Sequence, residues 1–228
     1  MRACTIKPEQ KELLILHDPE EQVILVEKDA HAKLITIGKV IIKITLQENA
    51  SLDYYHITNE TTPDIASNQH IILLGKNATA SVINLFYGSN QERSTVSTVI
   101  EHEAPHTTSK LYSRGIAVQQ AESKSLGLIK ISKQAHHARG HQDLKTLIFQ
   151  EAQAYALPEL AIDNNQVQCS HSSSVGQVNK EQLFYLQSRG LTEEEAHRMI
   201  IEGFYEPILA PMPEQIQEQL RTLIKQRL

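Results

Sequence analysis

The chain has 228 residues, enough for one large domain or for one domain with a small appendage. Hydrophobic residues make up 40% of it, and no segment approaches the roughly 18 uninterrupted apolar residues of a membrane-spanning helix. Lysine and arginine total 22 against 27 aspartates and glutamates, and the net charge of -5 gives no general attraction to nucleic acid. We therefore expect a soluble protein that binds neither membranes nor nucleic acid.

Cysteine usage and the first residues indicate the compartment. Two cysteines, Cys4 and Cys169, are too few for a disulfide framework in a chain of this size, which favours a reducing environment. Residues 1–8 lack the long apolar core and the small-residue cleavage site of a secretory signal. The predicted location is the cytoplasm, and the role of Cys4 stays open.

Short runs of β-branched residues with a period of two dominate residues 13–162. The clearest run covers residues 40–46, where Lys43 and Thr45 point away from an apolar face. The residues of that apolar face are Val40, Ile42, Ile44 and Leu46. This alternation predicts that strands build the region.

A polar corner recurs before several of these runs. Its clearest copies are Asp29-Ala30, Asn49-Ala50 and Asn77-Ala78, with looser copies at residues 103–105 and 150–154. A repeat of roughly 20 to 28 residues with Asn or Asp at a tight corner is typical of a solenoid whose coils stack strand on strand. A β-sandwich or jelly roll is the alternative, but there are only 9 glycines and 8 prolines and no Asn-Gly or Asp-Gly turn. The favoured fold class is mainly β, a parallel β-helix.

The hydrophobic period changes from two to about 3.6 residues after Val178. We therefore expect a β-helix domain over residues 1–177 and a small α-helical region over residues 178–228. Asn179 is the predicted N-cap of the first helix, and Gly190 provides the left-handed residue at its end. About 50 helical residues form too small a core alone, so the region should shield the last open coil, dock a partner, or both.

Two more helices are predicted further along. A capping box over residues 192–195 begins the second helix, and Pro207 is expected to end it. The predicted buried face of this helix consists of Ala196, Met199, Ile200, Gly203 and Phe204. Pro213 can begin a third helix, because the first turn does not need the missing N–H group. The apolar stripe of that helix would contain Ile216, Leu220, Leu223 and Ile224.

The best candidate for metal chemistry follows the last strand-like run. Cys169 and His171 are two residues apart, so in an extended segment their side chains point to the same side, roughly 6.5 to 7 Å apart along the backbone. A thiolate and an imidazole can bind one soft metal centre together. Taken alone, the pair is explained more simply as a packed cysteine beside a surface histidine.

A cluster of other histidines offers an alternative, a zinc-dependent hydrolase or lyase. The histidines concerned are His102, His106, His136, His137 and His141. Their spacing is not diagnostic, and ordinary polar corners explain it more simply. Residues 75–77 lack the pattern of a phosphate-binding loop, and no Gly-x-Gly-x-x-Gly or Gly-x-Ser-x-Gly occurs. The chain is therefore expected to bind no nucleotide itself.

Several segments resemble the SufB/SufD family of the SUF system. Residues 167–177, with their Cys-Ser-His motif, and residues 181–190, with Leu-Phe-Tyr-Leu-Gln-Ser-Arg-Gly, are similar to its C-terminal signature. The segments that resemble its mid-body stretch are residues 101–109, residues 113–116 and the pair His141 and Gln142. The similarity extends over about residues 100–205 and is closer to SufD than to SufB.

This resemblance implies a right-handed parallel β-helix that acts as a non-enzymatic scaffold in iron-sulfur cluster assembly. It implies that a SufC-like ATPase docks on residues 178–228, and that the β-helix end pairs with a SufB-like chain or with a second copy. Cys169 and His171 match the family's cysteine and its functionally important histidine at the subunit interface. They would hold a transient iron-sulfur cluster, and a mixed ligand set holds iron less tightly than four thiolates.

The chain departs from the family pattern at three points. The presumed cluster-building cysteine of SufB would fall near Ile162, and Ser172 and Ser173 replace the Gly-Ala after the motif histidine. The resemblance also implies an N-terminal helical region in full-length relatives, for which we expect no counterpart in these 228 residues. A compact member, a diverged paralogue and an assembly module with a decayed cluster site all remain open.

Overall fold

The structure is a computed structural model that describes residues 2–9, 13–16, 21–58, 64–210, 212, 214, 217, 218, 221 and 222. Its strands are β1 (Arg2–Ile6), β2 (Leu13–Leu16), β3 (Glu21–Val26), β4 (His31–Ile37), β5 (Ile41–Leu46), β6 (Ser51–Thr58), β7 (Asp64–Leu73), β8 (Thr79–Gly88), β9 (Arg93–His102), β10 (Thr108–Ala117), β11 (Glu122–Ile131), β12 (Arg139–Ile148), β13 (Gln153–Ile162) and β14 (Gln168–Gln177). Its helices are α1 (Lys180–Ser188) and α2 (Glu193–Leu209).

Odd-numbered and even-numbered strands form two separate parallel sheets. Sheet A has the order β1-β3-β5-β7-β9-β11-β13, and sheet B has the order β14-β12-β10-β8-β6-β4-β2. Each strand pairs with the next strand but one, so each coil places one strand in each sheet. The predicted parallel β-helix is confirmed, and the sandwich alternative is wrong because its strands would pair antiparallel. The right-handed coiling stays a prediction.

The predicted polar corners are confirmed. Asp29, Asn49 and Asn77 adopt the left-handed conformation with φ values of 61°, 57° and 62°, which Asn and Asp tolerate better than most residues. The Asn49 side-chain amide donates to Asp29 Oδ1 over 2.7 Å, and Asn77 donates to Asn49 Oδ1 over 2.9 Å. A ladder of side-chain hydrogen bonds therefore joins successive coils at this edge.

The later corners use residues that the sequence does not mark as turns. His106 and His137 continue the same column with φ values of 61° and 60°. The looser copy at residues 150–154 belongs to the opposite edge, where Gln150 leads from sheet B back to sheet A with a φ of 55°. Histidine accepts a positive φ more readily than most residues, but neither it nor glutamine is among the common turn residues, so only the stacking of coils reveals their role.

Stacked apolar rows fill the space between the sheets. Ile24, Ile44, Ile71, Ile100 and Ile129 occupy equivalent positions on five adjacent strands of sheet A, and none is more than 2% exposed. Burial of each such side chain contributes about 1.5–3 kcal/mol. The predicted alternation in residues 40–46 is confirmed, because the even-numbered residues there are buried.

The predicted helix caps are also confirmed. The Asn179 side chain accepts from the Glu181 N–H at the start of α1, and Gly190 follows α1 with a φ of 96°. Thr192 and Glu195 form a reciprocal capping box at the start of α2. These signals depend on local geometry alone, which explains why the sequence is sufficient to predict them.

The prediction that Pro207 ends the second helix is wrong, because α2 continues to Leu209. Proline removes one helical N–H group and crowds the carbonyl four residues earlier, which belongs here to Gly203. The residues beyond the proline, Ile208 and Leu209, are buried, and their burial offsets that loss. Further on, the described residues 214, 217, 218, 221 and 222 have helical backbone. Pro213, Ile216, Leu220, Leu223 and Ile224 lie outside the described residues.

The predicted buried face of α2 is wrong at Met199 and Gly203, confirmed at Ala196 and met only in part at Ile200 and Phe204, which are half-buried. The side chains of α2 that are buried belong to Ala196, Ile201, Tyr205, Ile208 and Leu209. Met199 is 50% exposed, and Gly203 is exposed. The Tyr205 hydroxyl donates to the Phe86 carbonyl over 2.9 Å, and the His197 and Phe149 rings meet at 5.1 Å.

α2 therefore lies across the outer face of sheet B, and the prediction that the helices shield the last coil is wrong for the described residues. The outward residues of sheet B that pack in one cluster with α2 are apolar. They include Ile35, Tyr55, Ile57, Ile83, Leu85 and Ile116. A 17-residue helix is about 25 Å long, which matches about five strands at their usual spacing. The broad face buries more apolar surface than a coil end offers.

Replacing Gly115 with alanine should lower the free energy of unfolding by about 1–3 kcal/mol through overpacking. A Cβ atom at Gly115 would lie 2.0 Å from the ring of Phe86, which is 2% exposed and has no space to move. Gly88→Ala is the matched control, since its Cβ would meet Ala121 and Ser123 at ordinary contact distances of 3.4 Å. Urea unfolding measures both variants, and equal losses would contradict the steric explanation.

Candidate metal centre at the last coil

The last coil leaves both sheets with an open edge. β13 ends sheet A and β14 ends sheet B, so one side of each strand has no backbone partner among the described residues. The side chains of β14 that point into the coil end are Cys169, His171, Ser173 and Val175, which follow the buried inward positions of β12 in register. Open edges of this kind are natural places for another strand to pair.

Cys169 lies at the margin between the apolar core and the coil end. It is partly buried, packs against the core cluster and lies over Gly140, where a Cβ atom would be 3.4 Å from its Sγ. Burial raises the pKa of the Cys169 thiol, and a hydrogen bond with the Gly140 backbone offsets only part of this effect. The free thiol is therefore protonated at neutral pH, and metal binding would release its proton.

His171 is exposed beside Cys169. Its Nδ1 lies 3.3 Å from the carbonyl oxygen of Pro158 on β13. If Nδ1 donates its proton to that carbonyl, Nε2 keeps its lone pair, which is the arrangement found in metal-binding histidines. The two predicted residues therefore lie on one face of one strand, one with a sulfur donor and the other with a nitrogen donor.

One copy of the described chain does not complete a metal site. Within the described ranges there is no group of three or more His, Cys, Asp or Glu side chains that could hold a metal ion. Ile162, at the end of β13, contributes no ligand. Cys4 lies on β1, at the opposite edge of sheet A, about 29 Å from β13 at the usual strand spacing. Any further donors would have to come from outside this surface.

The histidines of the alternative zinc site lie near one edge of the solenoid, but their side chains have different partners. His102 is buried between Thr107 and Ser109, which lie 2.8 Å from its two ring nitrogens. His106 and His137 stack at a corner with ring centroids 5.1 Å apart. His136 contacts Asn164, and His141 contacts Ser170. The structure therefore does not assemble these five histidines into one metal site.

A buried ion pair beside the coil end is a feature that sequence reasoning missed. Arg114 and Asp143 form a salt bridge on neighbouring strands, with side chains only 7% and 10% exposed. Ser172 of β14 donates to Asp143 Oδ1 over 2.6 Å, and Lys145 lies 3.2 Å from Oδ2. Burial would raise the pKa of Asp143, but the hydrogen bonds from Ser172 and Arg114 and the charge of Arg114 lower it overall. This network fixes β14 to the coil beneath it.

An apolar groove lies between α1, α2 and the end of β12. Its volume is about 690 Å³, and its lining includes Leu147, Val178, Tyr185, Leu186, Met199 and Phe204. Phe184 and Tyr185 on α1 are 73% and 55% exposed. The α2 face that the sequence predicted to be buried therefore lines this open groove. Exposed apolar surface rimmed by polar residues is typical of protein-binding sites.

The geometry defines a parallel β-solenoid with a thiol-imidazole pair at an open coil end and an apolar helical groove beside it. The description of the family whose model matches residues 62–204 is "SUF system FeS cluster assembly, SufBD core domain". The chain belongs to this family. No helix among the described residues is long and apolar enough to cross a membrane.

Similar curated proteins come from staphylococci. The chain is 29% identical over 211 residues to iron-sulfur cluster assembly SufBD family proteins of Staphylococcus aureus and Staphylococcus epidermidis. Each alignment covers 89% of this chain and 45% of the relative. The chain thus spans about half the length of the curated relatives it matches.

Proposed function

We propose that this chain is a SufD-like, non-enzymatic scaffold subunit that holds an iron-sulfur cluster transiently as cargo. The observation that carries the proposal is the placement of Cys169 and His171 on the same inward face of the open edge strand β14. Membership of the SufBD core domain family supports the cargo. The two described cysteines are free thiols, which suits a reducing compartment such as the cytoplasm.

The proposed partner at the coil end is a SufB-like chain or a second copy of this one. β13 and β14 offer backbone groups that no described strand pairs and that a strand of the partner can satisfy. Two ligands from this chain leave room for donors from the partner, so the cargo would bind at a shared surface. Separation of the two subunits would then release it.

The proposed domain division is a β-helix domain over residues 1–177 and a helical region over residues 178–228. The proposed partner of the helical region is a SufC-like ATPase. The groove between α1 and α2 offers apolar anchors such as Tyr185, Met199 and Phe204. Aromatic residues and Met are enriched at the centres of protein interfaces. Nucleotide hydrolysis would belong to the ATPase subunit.

The cargo test is anaerobic reconstitution of the full chain, alone and with a co-expressed SufB-like partner, using ferric iron, sulfide and a thiol reductant. The sulfide-to-iron charge-transfer absorption should fall at least twofold in Cys169→Ala and in His171→Ala, because each loses one donor. Cys4→Ala should keep the absorption, since Cys4 lies at the opposite edge of sheet A. An unchanged spectrum in both coil-end variants, with normal folding, would remove the two residues from the site.

A further inference from the structure

A second cavity lies between the outer face of sheet B and the C-terminal end of α2. Its volume is about 780 Å³, and its lining includes no residue of β13 or β14. One wall consists of Pro207, Ile208 and Met212, and the floor comes from strands β4, β6, β8 and β10. A concave site of this size, with apolar walls and a few convergent polar groups, is typical of small-molecule binding.

Two lysines, Lys33 and Lys110, stand at the mouth of this cavity. Lys33, Asp53, Ser81 and Lys110 occupy the same position on four adjacent strands, which places the two lysines about 14 Å apart at the usual strand spacing. Among the residues that the structure describes, neither lysine has an ion-pair or hydrogen-bond partner. Asp53 lies 3.5 Å from His31, and the third cation, Arg114, is neutralised by Asp143. The charges that line the cavity therefore leave an excess of one positive charge.

Two tyrosines provide further donors on the floor. Tyr55 and Tyr112 flank Ile83 on neighbouring strands. Tyr55 is only 8% exposed, and in the described part of the chain neither hydroxyl has a hydrogen-bond partner. Both hydroxyls are therefore free to donate to a bound acceptor. Burial, with the charge of Asp53, raises the pKa of Tyr55 to about 12, so its hydroxyl is a donor at neutral pH.

We propose that this cavity binds a small organic anion, in which one carboxylate or phosphate group is attached to an apolar body. Lys33, Lys110 and the tyrosine hydroxyls would bind the anionic group, and Ile83, Ile208 and Met212 would contact the apolar body. The proposal rests on residues that have no part in the coil-end site. Its success or failure is therefore independent of the proposed cluster role.

The test uses the fluorescent anion 8-anilinonaphthalene-1-sulfonate with the full chain. Octanoate and octyl phosphate should displace the probe, whereas octylammonium and octanol should not, because the mouth is cationic. The more effective of the two anions identifies the preferred head group. Displacement by octylammonium as strong as that by octanoate would overturn the proposal.

Reversing the charge of one lysine tests whether the probe binds in this cavity or on another apolar surface. Lys110→Glu should weaken probe binding about tenfold, as a reversed charge near the ligand would. Lys43→Glu makes the same change in net charge on the outer face of sheet A and should leave the affinity within about twofold. The groove between α1 and α2 has Glu181 and no lysine or arginine in its lining, so it would not respond to Lys110. Equal affinities in the two lysine variants would overturn the proposal.

A second variant fills the cavity without a change of charge. Ser81→Trp adds an indole between the two lysines, so probe binding should be lost while urea unfolding shows a folded protein. Undiminished binding in a folded Ser81→Trp variant would place the probe elsewhere and overturn the assignment.

Discussion

Asp143→Asn is expected to lower the free energy of unfolding by about 3–5 kcal/mol, because it leaves the buried Arg114 guanidinium without its counter-charge. Both side chains are at most 10% exposed, so water cannot replace the lost partner. The Arg114 guanidinium also donates to the carbonyl oxygens of Ser113 and Asp143, which ties the charge to the sheet itself. Urea denaturation at neutral pH measures the loss.

Two controls test the buried charge as the cause. Glu48→Gln breaks the exposed pair between Glu48 and Lys28 and should change stability little, since water screens that pair. The double variant Arg114→Met with Asp143→Leu should recover most of the loss, because it removes both buried charges, and Lys145, which also contacts Asp143, is 44% exposed and keeps its hydration. A double variant as unstable as Asp143→Asn would contradict the explanation.

Acid is expected to destabilise the fold through two buried histidines. Burial lowers the pKa of His56 to about 3 and that of His102 to about 4, and both side chains are 0% exposed. Each pKa is lower in the folded chain than the ordinary value of about 6.5 in the unfolded chain. The contribution of each neutral histidine is therefore complete above about pH 6.5 and is lost as pH falls towards the folded-state pKa. At pH 5 the two together should lower the free energy of unfolding by about 4 kcal/mol relative to pH 8.

The hydrogen-bond partners of these histidines are neutral. Thr36 and Thr58 contact His56, and Thr107 and Ser109 contact His102, so no carboxylate compensates a proton. The free energy of unfolding, measured in urea between pH 5 and 6, rises with pH. The slope of this rise should be smaller in His56→Gln than in the wild-type chain by about 1.4 kcal/mol per pH unit. His31→Gln, at an exposed histidine, is the matched control. Slopes that are the same in the wild-type chain and in His56→Gln would contradict the assignment.

At the coil end, the local sequence pattern predicts one feature of the site but not another. The spacing of Cys169 and His171 predicts that they share one side of a strand, and in β14 both follow the inward positions of β12. No pattern within one segment predicts the contact between His171 and Pro158, because the two residues belong to different strands of the same coil. The five other histidines show the converse, since nearness along the chain did not aim their side chains at one metal site among the described residues.

The helical region shows why the buried face of α2 was predicted wrongly. Residues 193–209 carry apolar side chains on two faces, and the hydrophobic period alone does not decide which one meets the β body. Tyr205 decides it, because its hydroxyl reaches the Phe86 carbonyl and its ring is buried on sheet B. Met199 and Phe204 then line the groove that we propose for the ATPase.

The sequence by itself determined what depends on neighbours along the chain. The alternation of residues 40–46, the Asp and Asn corners and the caps at Asn179 and Thr192 are local effects of strand period, backbone conformation and unsatisfied N–H groups. Tertiary structure alone decided which surfaces meet: the helix across sheet B, the Arg114–Asp143 pair, and the cavity beneath α2. Each of these features joins residues tens of positions apart along the chain. Their contacts stabilise the protein only when the coils have stacked.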